Sequence, residues 1–459
     1  MDATDLAYAG AAQQAALVAA GEVSATELVQ AVLDRIEAVD PRLGAFRVVL
    51  AEQALLEARN AEARVSAGAG RPLLGVPVAI KDDTDVAGQT TTYGSLGASA
   101  EPAREDAEVV RRLRAAGAIV VGKTTVPELT HAPWTETLAF GAARNPWNTG
   151  RTPGGSSGGS AAAAAAGLCG VALGSDGLGS IRGPASWNGL VGLKPTRDRV
   201  PLAPKTSVWQ GLSTVGPLAR RVADAALFLD ATAEGAGGFV DAAATDPRRL
   251  RIAVSAKVPP GVLARVGEDE RRALEGVAAR LRELGHDVVE RDPDLPPTYA
   301  SASTVRVLRG IADNAADLAH PERMEPRLRR IVAIGRGLPE QVVAWARAAE
   351  AGQAARSGAL WDDVDVLVTP ATAEGPYRVG ELHGAGVGRY LAMAPLRIAH
   401  LGPFNVTGQP ALAVPAGLDA DGLPTGVQLV GRRGEDELLL ALGGQLERHA
   451  PWADRRPAL

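Results

Sequence analysis

Apolar positions along the chain follow two periods. Leu28, Val32, Leu33 and Ile36 recur on one helical face. They follow Ser24-Ala-Thr-Glu27, a capping box in which the serine accepts from the amide three residues on and the glutamate reaches back. Pro41 is expected just beyond the end of that helix, and a second helix over 50–66. Leu74-Gly-Val-Pro-Val-Ala-Ile80 reads as a buried strand ending on Lys81-Asp82. Asp106 can cap a helix carrying Val109, Val110 and Leu113, which stops at Gly117; Ala118-Ile-Val-Val121 follows as a strand. Helix then strand recurs at 161–169 and 171–175, at 268–284 and 287–290, and at 340–360 and 364–368. This alternation predicts an α/β fold, a central mixed β-sheet covered by helices on both faces. Residues 235–345 are less regular and rich in Arg, Glu and Pro. They read as a variable helical insertion or cap within a single domain spanning 1–459.

Composition narrows the classes without naming a function. A chain of 459 residues with 46% hydrophobic content can bury a large core. Its net charge of −5, from 48 basic and 53 acidic residues, leaves no footprint for nucleic acid. One cysteine, Cys169, precludes an internal disulfide framework and fits a reducing compartment. MDATDLAYAG lacks the basic stretch and apolar run of a secretory signal, and the run Ala161 to Ala166 is too short to span a bilayer. The expectation is a cytoplasmic globular protein with neither a nucleic-acid nor a membrane partner.

Three segments carry candidate chemistry. Gly174-Ser-Asp176-Gly177-Leu178-Gly179-Ser180 is a strand end closing in a glycine-rich turn on a serine. Successive amides in such a turn can form an anion nest, and a nest beside a hydroxyl is what acyl transfer needs. Taken alone, a plain turn with a capping serine reads equally well. Thr152-Pro-Gly-Gly155-Ser156-Ser157-Gly-Gly-Ser160 places another serine at a helix start; a flexible linker or anion loop is the alternative. Lys81 follows a buried run. If desolvated it favours the neutral amine and can serve as a base; otherwise it snorkels to water.

Together these segments closely resemble the amidase signature family, whose pattern is a strand ending in Lys-Asp, a Gly-Gly-Ser-Ser-Gly-Gly loop, then Asp-x-Gly-Gly-Ser-Ile-Arg-x-Pro-Ala. Gly122-Lys-Thr-Thr-Val-Pro-Glu128, Phe140-Gly-Ala-Ala-Arg-Asn-Pro-Trp-Asn148, Leu190-Val-Gly-Leu-Lys-Pro-Thr196, Phe404-Asn-Val-Thr-Gly408 and Gly422-Leu-Pro-Thr-Gly-Val-Gln428 extend the likeness over 20–235 and 360–445. The resemblance implies an amidase-signature fold and a serine hydrolase cleaving a carbonyl–nitrogen bond. In it Ser180 is the nucleophile, Ser156 a bridging serine after a cis bond from Gly155, and Lys81 the base. Amides of Gly177, Leu178 and Gly179 would form the oxyanion hole, with Asp176 and Arg182 as structural support. No cofactor and no metal are implied. Leu178 stands where the family favours glycine, so it is expected to put an apolar side chain beside the acyl site.

Other patterns in the chain compete with this reading. Gly117-Ala-Ile-Val-Val-Gly-Lys123-Thr124 matches a P-loop formally, but its middle is itself a predicted strand. Gly154-Gly-Ser156-Ser-Gly158 matches the α/β-hydrolase elbow but follows a loop; an esterase of that kind would use Ser156 with a late histidine, His400 or His449. The six histidines show no zinc-ligand spacing. A glutaminase-type subunit of a transfer-RNA-dependent amidotransferase and a non-catalytic binding protein are alternatives of other classes. Substrate-binding candidates are Gly155, His131, Trp134 and Trp209, with walls expected from 130–136, 205–212 and 300–400. Their apolar character suits an uncharged amide, aryl acylamide or carbamate, with some esterase or urethanase activity. A homodimer is a compatible assembly.

Overall fold

The structure is a computed structural model and describes residues 1–66, 71–235 and 237–459. Its strands are β1 (Phe46–Val49), β2 (Pro77–Lys81), β3 (Ile119–Thr124), β4 (Glu136–Thr137), β5 (Gly141–Ala142), β6 (Val171–Asp176), β7 (Val191–Lys194), β8 (Thr214–Ala219), β9 (Arg251–Val254), β10 (Asp287–Glu290), β11 (Val366–Pro370), β12 (Ala411–Leu418) and β13 (Pro424–Val430). β4 and β5 form a small hairpin; the other eleven make one sheet in the order β1-β3-β2-β6-β8-β7-β12-β13-β11-β9-β10. β3, β2 and β6 run parallel, as do β11, β9 and β10, and the centre between them is antiparallel. The sheet is therefore mixed.

Side-chain alternation gives the sheet two buried faces. Val78, Ile80, Val171 and Leu173 join one core with the helices Glu108–Ala115, Val222–Thr232, Glu268–Glu283 and Asp436–His449. Ala79 and Ala172 join the other, with Ala25–Leu43 and Gly158–Ala165. A third cluster gathers Trp134, Trp209, Tyr377 and Tyr390 against the helices Tyr299–Ala316 and Pro326–Arg336. This is the α/β architecture expected, with helices on both faces. No helix among the described residues is long and apolar enough to cross a membrane.

Three local expectations need correction. The capping box forms, with Glu27 N donating to Ser24 Oγ at 3.1 Å and Ser24 N to Glu27 Oε2 at 2.9 Å. Pro41, however, lies inside the last turn, and the helix ends at Leu43 before Gly44. Asp106 does not cap the next helix. Its carboxylate accepts from Ala87 N at 2.8 Å and pairs with Arg114 at 3.1 Å, and Ala107 takes the cap position. Residues 235–345, read as a variable helical insertion, hold the strand expected at 287–290 and also an unexpected one at Arg251–Val254. Their first part supplies β9 and β10, which pair in parallel at one edge of the main sheet. Only the helices that follow form a layer over one end.

Candidate active site

β2 lies between β3 and β6, and all five of its residues are buried. Its last residue is Lys81, whose ammonium end is thus carried into the interior. The register sets Ile80 opposite Leu173, so β6 runs two residues past the end of β2 and carries Ser175 within reach of the Lys81 amine. Lys81 Nζ lies 2.7 Å from Ser156 Oγ and 2.7 Å from Ser175 Oγ. Burial pushes the lysine below its ordinary range; the nearby carboxylates of Asp83 and Asp176 oppose that shift. Asp82 faces the other way and pairs with Lys123 at 2.9 Å and Arg47 at 2.6 Å. The GKT lysine is therefore a partner for Asp82, on strand β3 and not on a phosphate loop.

Ser156 is buried and follows a cis peptide bond from Gly155. No other residue fits at 155, because a Cβ there would lie 2.3 Å from Ala132 O and 2.6 Å from Trp134 N. Ser157 Oγ ties this loop to β6, donating to Ser175 O at 3.2 Å. Ser157 N donates to Ser180 O at 3.3 Å, which joins the two serine loops. Ser156, Ser175, Gly177 and Ser180 line one cleft with Asp83 and Trp209.

Asp176 organises the turn before Ser180. Its carboxylate accepts from Gly179 N at 2.5 Å and Ile181 N at 3.2 Å, and pairs with Arg182 Nε at 2.9 Å. Arg182 in turn donates to Leu401 O, Gln428 Oε1 and Asn405 Oδ1 at 2.9, 2.9 and 2.6 Å. Burial pushes Asp176 up, but Arg182 outweighs it and holds the carboxyl well below the usual range. Of the three amides expected as oxyanion donors, one has a partner within the turn. Gly179 N–H is committed to Asp176, which leaves the amides of Gly177 and Leu178 outside that hydrogen-bond set.

The other expected site residues divide. Trp209 lines the cleft, and its ring lies 3.4 Å from where a Cβ on Gly177 would stand. His131 and Trp134 do not line it. Burial pushes His131 down to about 4, and its ring bonds to Tyr390 Oη and to Glu128 O. Trp134 packs edge-on against Tyr377 and Tyr390. Leu178 turns from the cleft into the third cluster, toward Gly402. Apart from Trp209, the walls come from 83–85, 107–109 and 201–208 with Thr130, Ser213 and Val215; 300–400 contributes none. His400 is buried beside Ala256 O, and His449, at the end of the last helix, lies against Glu283 of the helix Glu268–Glu283; neither borders the cleft. Cys169 is buried, its thiol pushed up to about 12. Among the described residues no cluster of three His, Cys, Asp or Glu could hold a metal. Sequence reading passed over Asp83 and Ser175, though Asp83 stands only two residues beyond Lys81.

Two solved hydrolases share this frame. A 6-aminohexanoate cyclic dimer hydrolase complexed with substrate matches with a TM-score of 0.90 and 33% identity, over 98% of this chain and 99% of that one. A bacterial aryl acylamidase of the amidase signature family matches at 0.87 with 27% identity, over 97% and 96%. Fold and site thus define an amide hydrolase. The amidase family model matches residues 27–440, and the Mycobacterium tuberculosis protein named "Putative amidase AmiB2" is 53% identical over the whole of both chains. The chain belongs to the amidase-signature family.

Proposed function

We propose that the protein hydrolyses uncharged amides through an acyl-enzyme on Ser180, with Ser156 as relay and Lys81 as base. The observation that carries this is the 2.7 Å contact from Lys81 Nζ to Ser156 Oγ at the base of the cleft that Ser180 lines. Ser180 Oγ attacks the carbonyl carbon while its proton passes to Ser156 Oγ and that of Ser156 to Lys81 Nζ. The oxyanion meets the amides of Gly177 and Leu178. The C–N bond then breaks, and the amine leaves with the proton returned from Lys81 through Ser156. Water enters by the reverse relay and releases the acid.

Apolar residues such as Val109, Leu202, Val208 and Trp209 share the cleft wall with Asp85 and Lys205. The apolar part supports an aliphatic or aryl acylamide, and carbamates and esters by the same attack. The relatives named for a cyclic amide and for aryl acylamides agree with that class. A buried, unpaired cysteine fits a cytoplasmic setting. A fluorophosphonate tests the assignment, because only the activated hydroxyl adds covalently. Peptide mapping is expected to place the adduct on Ser180; an adduct on Ser156 or outside these loops overturns it.

A further inference from the structure

Asp83 stands at the edge of the cleft, and the steps above do not use it. Ser175 Oγ donates to Asp83 Oδ2 at 2.6 Å, and Lys81 Nζ lies 3.3 Å from the same oxygen. Thr84 Oγ1 donates to Asp83 Oδ1 at 3.0 Å and fixes the carboxylate plane. An ionised carboxylate only accepts, and a serine hydroxyl has one proton. Ser175 therefore spends its proton on Asp83, and its oxygen can only accept from Lys81. With one N–H directed to Ser175, the lone pair of a neutral Lys81 is free to turn toward Ser156.

We propose that Asp83 is a positioning residue for the base: it sets the direction of the Lys81–Ser175 hydrogen bond and stabilises the ammonium that forms when Lys81 takes the proton of Ser156. The inference rests on Lys81 being the base. The charges facing Lys81 are Asp83, Asp176 and Lys205. Asp176 is engaged by Arg182, and Lys205 acts in the opposite sense. Among the described residues Asp83 is thus the one anion in contact with the amine. Burial pushes Asp83 itself up, but Lys81, the Ser175 hydroxyl and Lys205 outweigh it and hold the carboxyl below its ordinary value.

The test is the pH dependence of kcat and KM on an aryl acylamide, followed by release of the arylamine. Asp83→Asn keeps the size and an acceptor oxygen but removes the charge. Its acidic limb is expected to move to lower pH by about one unit or more, because an opposite charge this close raises the pKa of an amine. The plateau kcat is expected to fall about tenfold, with KM within about twofold. Ser175→Ala, which leaves the direct Lys81–Asp83 contact, is expected to lower the plateau while moving the limb by less than about half a unit. A folded Asp83→Asn whose limb and kcat both stay put, or whose KM alone rises, overturns the proposal. If that variant does not fold, an unchanged plateau in Ser175→Ala overturns it. Lys81→Ala, run alongside, separates the two levels. Lost activity there with a wild-type profile in Asp83→Asn rejects Asp83 alone, whereas retained activity in Lys81→Ala rejects the base and the proposal with it.

Discussion

The two sides of the cleft are held by different means. Lys81 and Ser175 sit at the ends of adjacent parallel strands in a fixed register, each strand paired on both edges. The opposite wall contains Thr130 and Trp209. These two and their neighbours Leu129 and Gln210 are non-glycine residues with φ of 56°, 54°, 51° and 55°. Each such residue costs about 1–3 kcal/mol and persists where its surroundings over-determine it. Here the surroundings are the helical layer. The Gln210 side chain bonds to Asp313 and accepts from Arg347 Nε at 2.6 Å, and the Gln210 backbone carbonyl accepts from Arg306 at 2.7 Å. Arg306 is steadied by Glu350 at 3.0 Å. Glu128 accepts from Ser95 Oγ at 2.5 Å and from Glu325 N at 2.9 Å, at the start of the helix Pro326–Arg336. The proposed chemistry is thus built on backbone ladders, while the wall with Thr130 and Trp209 is imposed by side chains from elsewhere in the chain.

The strand-held side is broken most severely by Lys81→Ala. Amide hydrolysis is expected to fall by about 10²–10⁴, since the base and the proton for the leaving amine are lost together. Matched esters, whose alkoxide or phenoxide leaves without that proton, are expected to lose less. Equal losses on paired substrates would mean that Lys81 serves only the attack. The clamped side is tested by Gln210→Ala, which releases Trp209 without touching the strands. The kcat/KM for bulky acyl groups is expected to fall about three- to tenfold, with the smallest amide nearly unaffected. A uniform loss across an acyl series would show that the clamp supports the whole site and not its wall.

The smallest effect concerns Glu128. Burial pushes this carboxyl from 4.5 up to about 7. The folded protein then holds the proton more tightly than the unfolded chain does. Its contribution to stability is complete below about pH 4.5 and is lost as pH rises through about 7. Thermal unfolding followed over that window should show Tm falling with pH in the wild type and falling less in Glu128→Gln. Parallel slopes would mean that this tether does not titrate where its surroundings place it.

The same division explains what could be read from the sequence. Ser24, β2, β10 and the helix–strand order were legible because caps and apolar periods are local. Lys81, Ser156 and Ser180 were legible through their motifs, and the structure places the first two in contact and the third on the same cleft. Asp106 misled because a residue with capping chemistry found a distant partner, Arg114. His131 and Trp134 misled because nearness to a motif in sequence does not say which way a ring points, and both turn to Tyr390. Nothing local joins Asp83 to Ser175, or Gln210 to Arg347; those pairs exist only once the register and the helical layer are in place.

The helix that follows Ser156 is built from Gly, Ala and Ser. Gly158–Ala165 is buried throughout, and a Cβ on Gly159 would come within 2.5 Å of Thr125 N and Ala45 O. Alanine and glycine have no rotamers, so packing this segment costs almost no side-chain entropy. It also leaves nothing that can rearrange when the temperature rises or a neighbour changes. Motion of this helix is then a shift of the whole segment as a rigid peg, a slower and rarer event than a side chain hopping between wells.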